Sequence, residues 1–189
     1  MASPGPVDPA SVAMQEFISL RAEIGTRTAS QNGVINIAVV AVGAIGGFAF
    51  GSNNVNPLVL LILVPLVVAT GLQWLDHAHS IYKIGTYIRV ELWPRVHGKF
   101  GKSIVSYEEF VLLDQPRWRE RSVLVIPFLI LFIGPGAVGL AYVAIRASNA
   151  LTWLAWSAEV FVMLYFISMW VSFLREALLS DVVADRDST

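Results

Sequence analysis

The chain has 189 residues, of which 56% are hydrophobic and only 14% are charged, and its mean hydropathy is +0.64. A typical soluble domain has about 25% charged residues, so this composition favours a membrane protein. The net charge of −1 gives no reason to expect nucleic acid as a partner. The absence of cysteine excludes disulfides, thiolate metal sites and cysteine nucleophiles.

The N-terminal part of the chain is polar and precedes any apolar run. Residues 1–8 are small and proline-rich, and we predict a disordered tail there. Asp8-Pro9 is a typical N-cap and first position for a cytoplasmic helix over residues 9–33. One face of this helix carries Ala13, Phe17, Leu20, Ile24 and Thr28. That face is expected to lie on the membrane surface or against another helix, and the acidic residues of the segment favour a partner helix.

Four long runs with little or no charge follow, at residues 34–51, 57–75, 122–145 and 151–174. A spanning helix needs about 20 apolar residues, and in lipid each such run has to be helical. The short links at residues 52–56 and 146–150 predict two transmembrane hairpins, over residues 34–75 and 122–174. The fold class is therefore an all-α membrane protein with four transmembrane helices. The alternative is a soluble all-α bundle, but four such runs are hard to bury in a chain of this length.

The basic residues predict the orientation in the cell membrane, because Lys and Arg are retained in the cytoplasm. Only Arg146, of the 13 basic residues, lies in a hairpin turn. We therefore expect both termini in the cytoplasm, together with a helical module over residues 76–121 and a tail over residues 175–189. Tryptophans mark the two membrane interfaces, the inner one by Trp74, Trp118 and Trp170 and the outer one by Trp153 and Trp156.

The module over residues 76–121 begins as a continuation of the second span. A single stripe of Ile81, Ile84, Ile88 and Leu92 predicts a helix that ends before Pro94. Residues 97–103 are predicted to be a loop. Residues 106–109 form a capping box that starts a short helix, and Pro116 ends it.

The first span carries small residues on one face, namely Asn36, Gly43, Gly47 and Gly51. Small residues four apart let two membrane helices approach closely. One interpretation is packing within the monomer, and the other is self-association into a homo-oligomer in the lipid bilayer.

The third span contains Gly134, Pro135 and Gly136, which predict a helix kink. Such a kink is either structural or part of a cavity, and Pro65 in the second span has the same two interpretations. Glu159 is the only charged residue inside any span and is the candidate intramembrane functional acid. It serves either permeation or proton transfer, or else a structural ion pair or hydrogen bond, for example with Arg146.

Motifs for metal binding and catalysis are missing. Asp76, His77 and His79 are metal-ligand types, but two residues that are two apart on a helix point to different sides, so we expect a solvated cluster. The chain has no glycine-rich phosphate loop, nucleophile elbow or HExxH motif. We expect no catalytic residue, no metal site and no cofactor.

Two segments resemble those of known membrane proteins. Residues 72–96 (LQWLDHAHSIYKIGTYIRVELWPRV) and 16–27 (EFISLRAEIGTR) are similar to small, actinobacterial-type, four-span integral membrane proteins without an assigned function. The order of an N-terminal helix, a two-span hairpin and a cytoplasmic helix is also loosely similar to SLATT-type membrane effectors of bacterial conflict systems. That second resemblance implies pore formation triggered by a nucleotide signal.

The sequence thus predicts a non-enzymatic integral membrane protein that acts as a sensor, scaffold or accessory subunit. Its partner would be a cytoplasmic protein bound by residues 76–121. The alternative function is an oligomeric pore-forming or ion-conducting effector. A transporter is less favoured, because the two hairpins contain no matching pair of broken helices.

Overall fold

The computed structural model describes residues 9–51, 57–92, 94–95, 125–126, 128–147 and 149–186. The α-helices are α1 (Pro9–Gly51), α2 (Pro57–Leu61), α3 (Leu63–Tyr87), α4 (Gly134–Arg146) and α5 (Ala150–Arg186). A π-helical turn at Ile88–Leu92 follows α3, and another at Leu129–Ile133 precedes α4. No strand occurs among the described residues, so the all-α prediction is confirmed for this part of the chain.

Four helical segments are long and apolar enough to cross a membrane: Ser11–Ala49, Val59–Leu92, Leu129–Arg146 and Ala150–Arg175. This confirms the four predicted apolar helices. At 1.5 Å per residue α1 is about 64 Å long, roughly twice the 30 Å of a hydrocarbon core. The second segment likewise continues well past residue 75. With α5, which runs from Ala150 to Arg186, three of the four helices therefore extend well beyond the length that a single crossing needs.

Parts of the sequence prediction lie outside the described residues. These parts are the tail at residues 1–8, the loop at residues 97–103, and the helix expected from residue 106 to Pro116. At the other end, α5 continues to Arg186, so most of the segment predicted as a C-terminal tail is helical.

The relative direction of α1 and α3 follows from two clusters at opposite ends of α1. Ala49, near the end of α1, clusters with Leu60 and Leu61 of α2. Ala13, near the start of α1, clusters with Ile88 and Leu92 after α3. The two long helices therefore run antiparallel along their whole common length.

Aromatic rings fill the bundle where the second and fourth apolar runs end. Phe128 is 1% exposed, and its ring stacks on Trp170 with centroids 4.9 Å apart. Trp74 lies 5.4 Å from Phe128 on another side, and Phe132 and Phe166 complete the cluster. Trp74 and Trp170, which the sequence predicted at one interface, thus lie at the same level, but both indoles are buried against rings.

The turn between α4 and α5 is short because side-chain capping starts the new helix at once. Ala147 is extended, and its N–H donates to the carbonyl of Val143, which ends α4. Asn149 Oδ1 then accepts from the backbone N–H of Thr152 at 2.8 Å and from its hydroxyl at 2.7 Å. This bonding satisfies free donors in the first turn of α5.

Glycines bring the helices of the bundle close together at three positions. A Cβ at Gly139 would lie 3.0 Å from the carbonyl oxygen of Leu60. A Cβ at Gly136 would meet Met163, and one at Gly71 would meet the ring of Phe166. Small residues are what membrane helices use for close approach, so these three glycines fix how α3, α4 and α5 pack.

Candidate functional site

The third apolar helix is interrupted at the predicted kink. Pro135 has no N–H, so it cannot donate the hydrogen bond that a regular α-helix needs at this position. The N–H of Gly134 instead bonds five residues back, to the carbonyl of Leu129, which makes the turn before it π-helical. A π-helical turn, one of the recognised causes of helix bending, thus directly precedes the residues predicted to form the kink.

The second apolar helix is also interrupted, three residues before Pro65. Ile62 separates α2 from α3, and its N–H bonds to the carbonyl of Val59 at 3.3 Å in a tighter turn. Because Pro65 has no N–H, the carbonyl of Leu61 loses the donor that a regular helix would supply. Each of these two helices therefore has backbone groups whose bonding departs from the regular pattern.

The two interruptions lie at different levels of the bundle, because Phe132 of the π-helical turn contacts Trp74, twelve residues after Ile62. The backbone at Gly139 approaches Leu60, just before the break in the second helix. A Cβ at Gly136 would lie 3.2 Å from Cγ2 of Val67, just after that break. The regular part of α4 therefore packs on both sides of the break at Ile62, whereas the π-helical turn lies beside Trp74.

Glu159 lies on the face of α5 that packs towards these helices. Three residues before it, Trp156 Nε1 donates to the carbonyl of Leu140 at 2.8 Å. Four residues after it, Met163 is buried over Gly136. Since residues three and four apart share a helix face, Glu159 falls between these two contacts, and it is half-buried.

No hydrogen bond or ion pair to the Glu159 carboxylate is found within the part of the chain that the structure describes. Arg146, the suggested ion-pair partner, instead has its guanidinium 5.6 Å from the ring centroid of Tyr142. The structural ion pair with Arg146 is therefore not present among the described residues. What remains is an acid on a packed helix face that turns towards α4.

The histidines after the second apolar run do not converge on a metal site. His79 packs edge-on against Phe173, with ring centroids 6.0 Å apart. His77 has a buried Nδ1 without a hydrogen-bond partner, as does the hydroxyl of Tyr82. Among the described residues, no three His, Asp or Glu side chains are grouped so that they could hold a metal ion.

The glycine pattern of α1 does not pack against any other part of the chain that the structure describes. A Cβ at Gly43, Gly47 or Gly51 would have nothing within 4 Å, and Asn36 is exposed. The interpretation of this face as monomer packing therefore has no support from the described residues. Close approach within the bundle is provided by Gly71, Gly136 and Gly139 instead.

At one end of the bundle, residues 9–33 of α1 pack against residues 76–92, and we call these two segments the helix pair. Ala13, Ile88 and Leu92 are buried there, and the partly buried residues packed on them are Phe17, Leu20, Ile24, Ile84 and Tyr87. The two apolar stripes predicted from periodicity are therefore one contact. Thr28 bonds its own helix instead, through the Ile24 carbonyl.

A polar contact also joins the two helices of the helix pair. The hydroxyl of Tyr87 donates to Glu16 Oε1 at 2.7 Å, between residues 71 positions apart in sequence. Periodicity could not predict this contact, because Glu16 and Tyr87 each lie at the edge of an apolar stripe. One indication was present in the sequence, because Glu16 follows Ala13 by three positions and so lies next to it on the same helix face.

The described residues therefore offer two places of functional interest, the surroundings of Glu159 and the helix pair. Glu159 supplies one ionisable oxygen ligand or proton acceptor on a packed helix face. The helix pair supplies a packed body of two helices that extends from the bundle. Comparisons with protein-family models, with curated proteins and with solved structures each found no match to this chain.

Proposed function

We propose that the chain is a multi-pass, non-enzymatic protein of the cell membrane that holds the helix pair in the cytoplasm as a scaffold for a protein partner. The observation that carries this proposal is the cluster of Ala13, Ile88 and Leu92. A membrane anchor needs only about 20 residues per helix. Here two helices continue past that length and are joined by apolar packing and the bond from Tyr87 to Glu16.

The distribution of charge supports a cytoplasmic position for the helix pair. Lys83 and Arg89 lie on its second helix and Arg95 follows, whereas the turn at the far end of the bundle contains Arg146 alone. Basic residues close to membrane helices are retained on the cytoplasmic side. Both chain termini would then share that side with residues 76–121.

The second helix of the pair supplies the surface that we assign to the protein partner. Val90 is 55% exposed and stands among exposed charged residues. Two of them, Glu91 and Arg95, form an exposed ion pair at 3.1 Å. An apolar residue within a polar rim is typical of protein interfaces.

Site-specific photo-crosslinking in cells tests the proposal. A photo-reactive residue replaces Val90, and the control carries it at Phe161, which is 74% exposed on an apolar helix. We expect a discrete protein adduct from position 90 only, and its loss when Leu92→Ala loosens the helix pair. Absence of an adduct at position 90, or an adduct that Leu92→Ala leaves unchanged, would contradict the scaffold function.

The cytoplasmic position has its own test, because the chain lacks cysteine. Val90→Cys should react with a membrane-impermeant maleimide in inside-out vesicles and stay unlabelled in intact cells. Leu151→Cys, exposed at the start of α5, is the control with the opposite pattern. Labelling of Val90→Cys in intact cells would reverse the proposed orientation.

A second candidate function, an oligomeric ion-conducting effector, is favoured by Glu159 alone. An acid inside a membrane helix is costly and usually faces a bundle interior or water. Interrupted helices supply free carbonyls at ion sites of membrane proteins. Flux through proteoliposomes that Glu159→Gln reduces and Glu23→Gln does not would favour this function. Liposomes that stay impermeable with the unaltered chain would exclude it.

A further inference from the structure

One face of α1 is buried on α3, and no other described element covers the opposite face. Within the helix pair this open face carries Met14, Ile18, Ala22, Gly25, Ala29 and Asn32, all of them exposed. They follow one another by three or four residues, so at 100° per residue they form one strip. We call this strip, with its continuation towards Gly51, the outer face of α1. Its largest side chain, Ile18, is 61% exposed.

The charged residues of α1 avoid the outer face, although it is the side turned away from α3. A helix at a protein surface usually puts its charged residues opposite its packed face. Here Glu16 accepts a hydrogen bond from Tyr87 on the packed side, and Glu23 and Arg27 pair with each other at 2.8 Å. Arg21 stands at the edge of the strip, with its guanidinium over the ring of Phe17 at 5.3 Å.

This distribution indicates a second packed face. Exposed apolar surface without charges usually marks a contact with another protein or with a membrane. The outer face has no charge over the part of α1 that the proposed function puts in water. Exposing its larger apolar side chains, Met14 and Ile18, to water is therefore unfavourable.

The outer face continues without a change of register into the apolar half of α1. There it carries Asn36, Val40, Gly43, Gly47 and Gly51, again three or four residues apart. Val40 is 71% exposed, and a Cβ at any of the three glycines would have nothing within 4 Å. The open strip therefore crosses from the aqueous half of the helix into the half that fits a bilayer.

Only one kind of neighbour can cover both halves. Lipid can cover the apolar half but not the aqueous half. A soluble protein, or residues 96–124 of this chain with their predicted cytoplasmic position, can cover only the aqueous half. A helix that itself passes from water into the bilayer matches both, and α1 of a second copy has that length and that surface.

We infer that two copies of the chain associate in parallel through the outer faces of α1. This inference rests on the proposed function, which puts residues 9–33 in the cytoplasm. Copies inserted with the same orientation run parallel, and a two-fold axis along the membrane normal sets each outer-face residue opposite itself. The strip itself carries no charge, and Arg21 at its edge turns its guanidinium away over Phe17. The glycines allow the backbones to approach.

The size of the strip is adequate for an interface. A helix with its side chains is about 10 Å wide, and α1 is about 64 Å long, so the strip covers roughly 640 Å² on each copy. Stable protein interfaces bury about 800 Å² per partner. Side chains that flank the strip supply part of the remainder.

Disulfide crosslinking in native membranes tests the dimer directly, because the chain contains no cysteine. Single cysteines replace Ala22 and Ala29 in the helix pair and Val40 in the apolar half. The matched controls are the exposed neighbours Glu23 and Ser30, which lie about 100° round the helix. Mild oxidation should give covalent dimers at the three outer-face positions and several-fold less at the controls, because a disulfide requires Cβ atoms about 4 Å apart.

Crosslinks missing at positions 22 and 29, or equally strong at the controls, would overturn the dimer. The first result is also expected if residues 96–124 cover the aqueous half. Native mass spectrometry in mild detergent gives an independent measurement. Ala29→Glu brings two like charges together and should convert dimers to monomers, whereas Ser30→Glu should not. Dimers that resist Ala29→Glu would also overturn the inference.

The variant Glu23→Cys separates failure of this inference from failure of the proposed function. Labelling of Glu23→Cys by impermeant maleimide in inside-out vesicles, with no crosslinks at positions 22 and 29, would overturn the dimer alone. If Glu23→Cys is labelled only in intact cells, the cytoplasmic position fails, whatever crosslinks form.

Discussion

Leu92 is the residue at which the helix pair is most sensitive to truncation. Its side chain is 0% exposed, and it lies in the cluster with Ala13 and Ile88. Truncating a buried leucine to alanine usually costs about 2–5 kcal/mol, through lost burial and the cavity left behind. The cluster has only three buried members, so its neighbours can collapse into the space and the cost should be about 2–3 kcal/mol.

This cost has a local readout. Local opening of a helix exposes its amides to exchange, and the protection falls by the same factor as the opening equilibrium changes. Each 1.4 kcal/mol is a factor of ten, so Leu92→Ala should accelerate exchange about 30- to 140-fold. The informative peptides are those from residues 9–24, on the opposite helix of the pair. Hydrogen–deuterium exchange with mass spectrometry on the protein in lipid nanodiscs measures them.

Val90→Ala is the matched control, two residues away and 55% exposed. A surface substitution of this kind changes stability by about 0.5 kcal/mol or less, which is about a twofold change in exchange. Equal acceleration by Leu92→Ala and Val90→Ala would refute the packing described for the helix pair. So would an effect of Leu92→Ala that stays on its own helix and leaves residues 9–24 protected.

Three further variants test other contacts. Tyr87→Phe removes the hydroxyl that donates to Glu16, and it should accelerate amide exchange in the peptides from residues 9–24 less than Leu92→Ala does. Unchanged exchange would mean that this hydrogen bond does not stabilise the helix pair. Gly139→Leu forces a side chain against a backbone carbonyl, which should cost about 1–3 kcal/mol and lower the Tm in detergent. Gly46→Leu, in open space, is its control, and an equal loss of Tm would contradict the close approach. Trp156→Phe removes a hydrogen bond between α4 and α5, and such bonds in membranes contribute about 0.6 kcal/mol on average. The midpoint of unfolding in SDS should move to a lower SDS concentration, and an unchanged midpoint would count against that hydrogen bond.

Helical periodicity predicted the helix pair better than it predicted the bundle. Ala13, Phe17 and Ile24 fall on one side of a helix, as do Ile84 and Leu92, because a helix that buries one face repeats every three or four residues. Periodicity shows which face of each helix is apolar, but it does not show which two faces contact each other. That depends on the direction and length of the helices. The short link after α1 limited the choice, since it forces the next helix to run back beside it.

Inside the apolar runs the sequence is less informative, because the lipid-facing and packed sides are both apolar. Gly71 is a single glycine in such a run, and nothing in the sequence distinguishes it from a glycine in open space. The motif of Gly43 and Gly47 was visible, but a small-residue pattern states only that close approach is allowed. Proline gives a stronger signal, because its missing N–H has a local consequence, and the interruptions near Pro65 and Pro135 follow from it.

The depth of Glu159 illustrates a boundary that composition cannot determine. The sequence offers two starting points for measuring that depth, namely the beginning of the apolar run at residue 151 and the predicted interface tryptophans Trp153 and Trp156. Capping by Asn149 starts α5 at Ala150, so Glu159 comes about 14 Å after the first residue of the helix. It then lies on the packed face between Trp156 and Met163, and its sequence neighbours gave no sign of that.

The uninterrupted course of α1 has a mechanical consequence. The described α2–α3 segment and the third helix each contain an irregular turn near a proline. In contrast, α1 is a regular α-helix from Pro9 to Gly51. A rod without a hinge cannot absorb a twist locally. A rotation or tilt of one end of α1 by a few degrees would turn its other end through the same angle. The two neighbouring helices have irregular turns near Pro65 and Pro135, where such a motion can be absorbed.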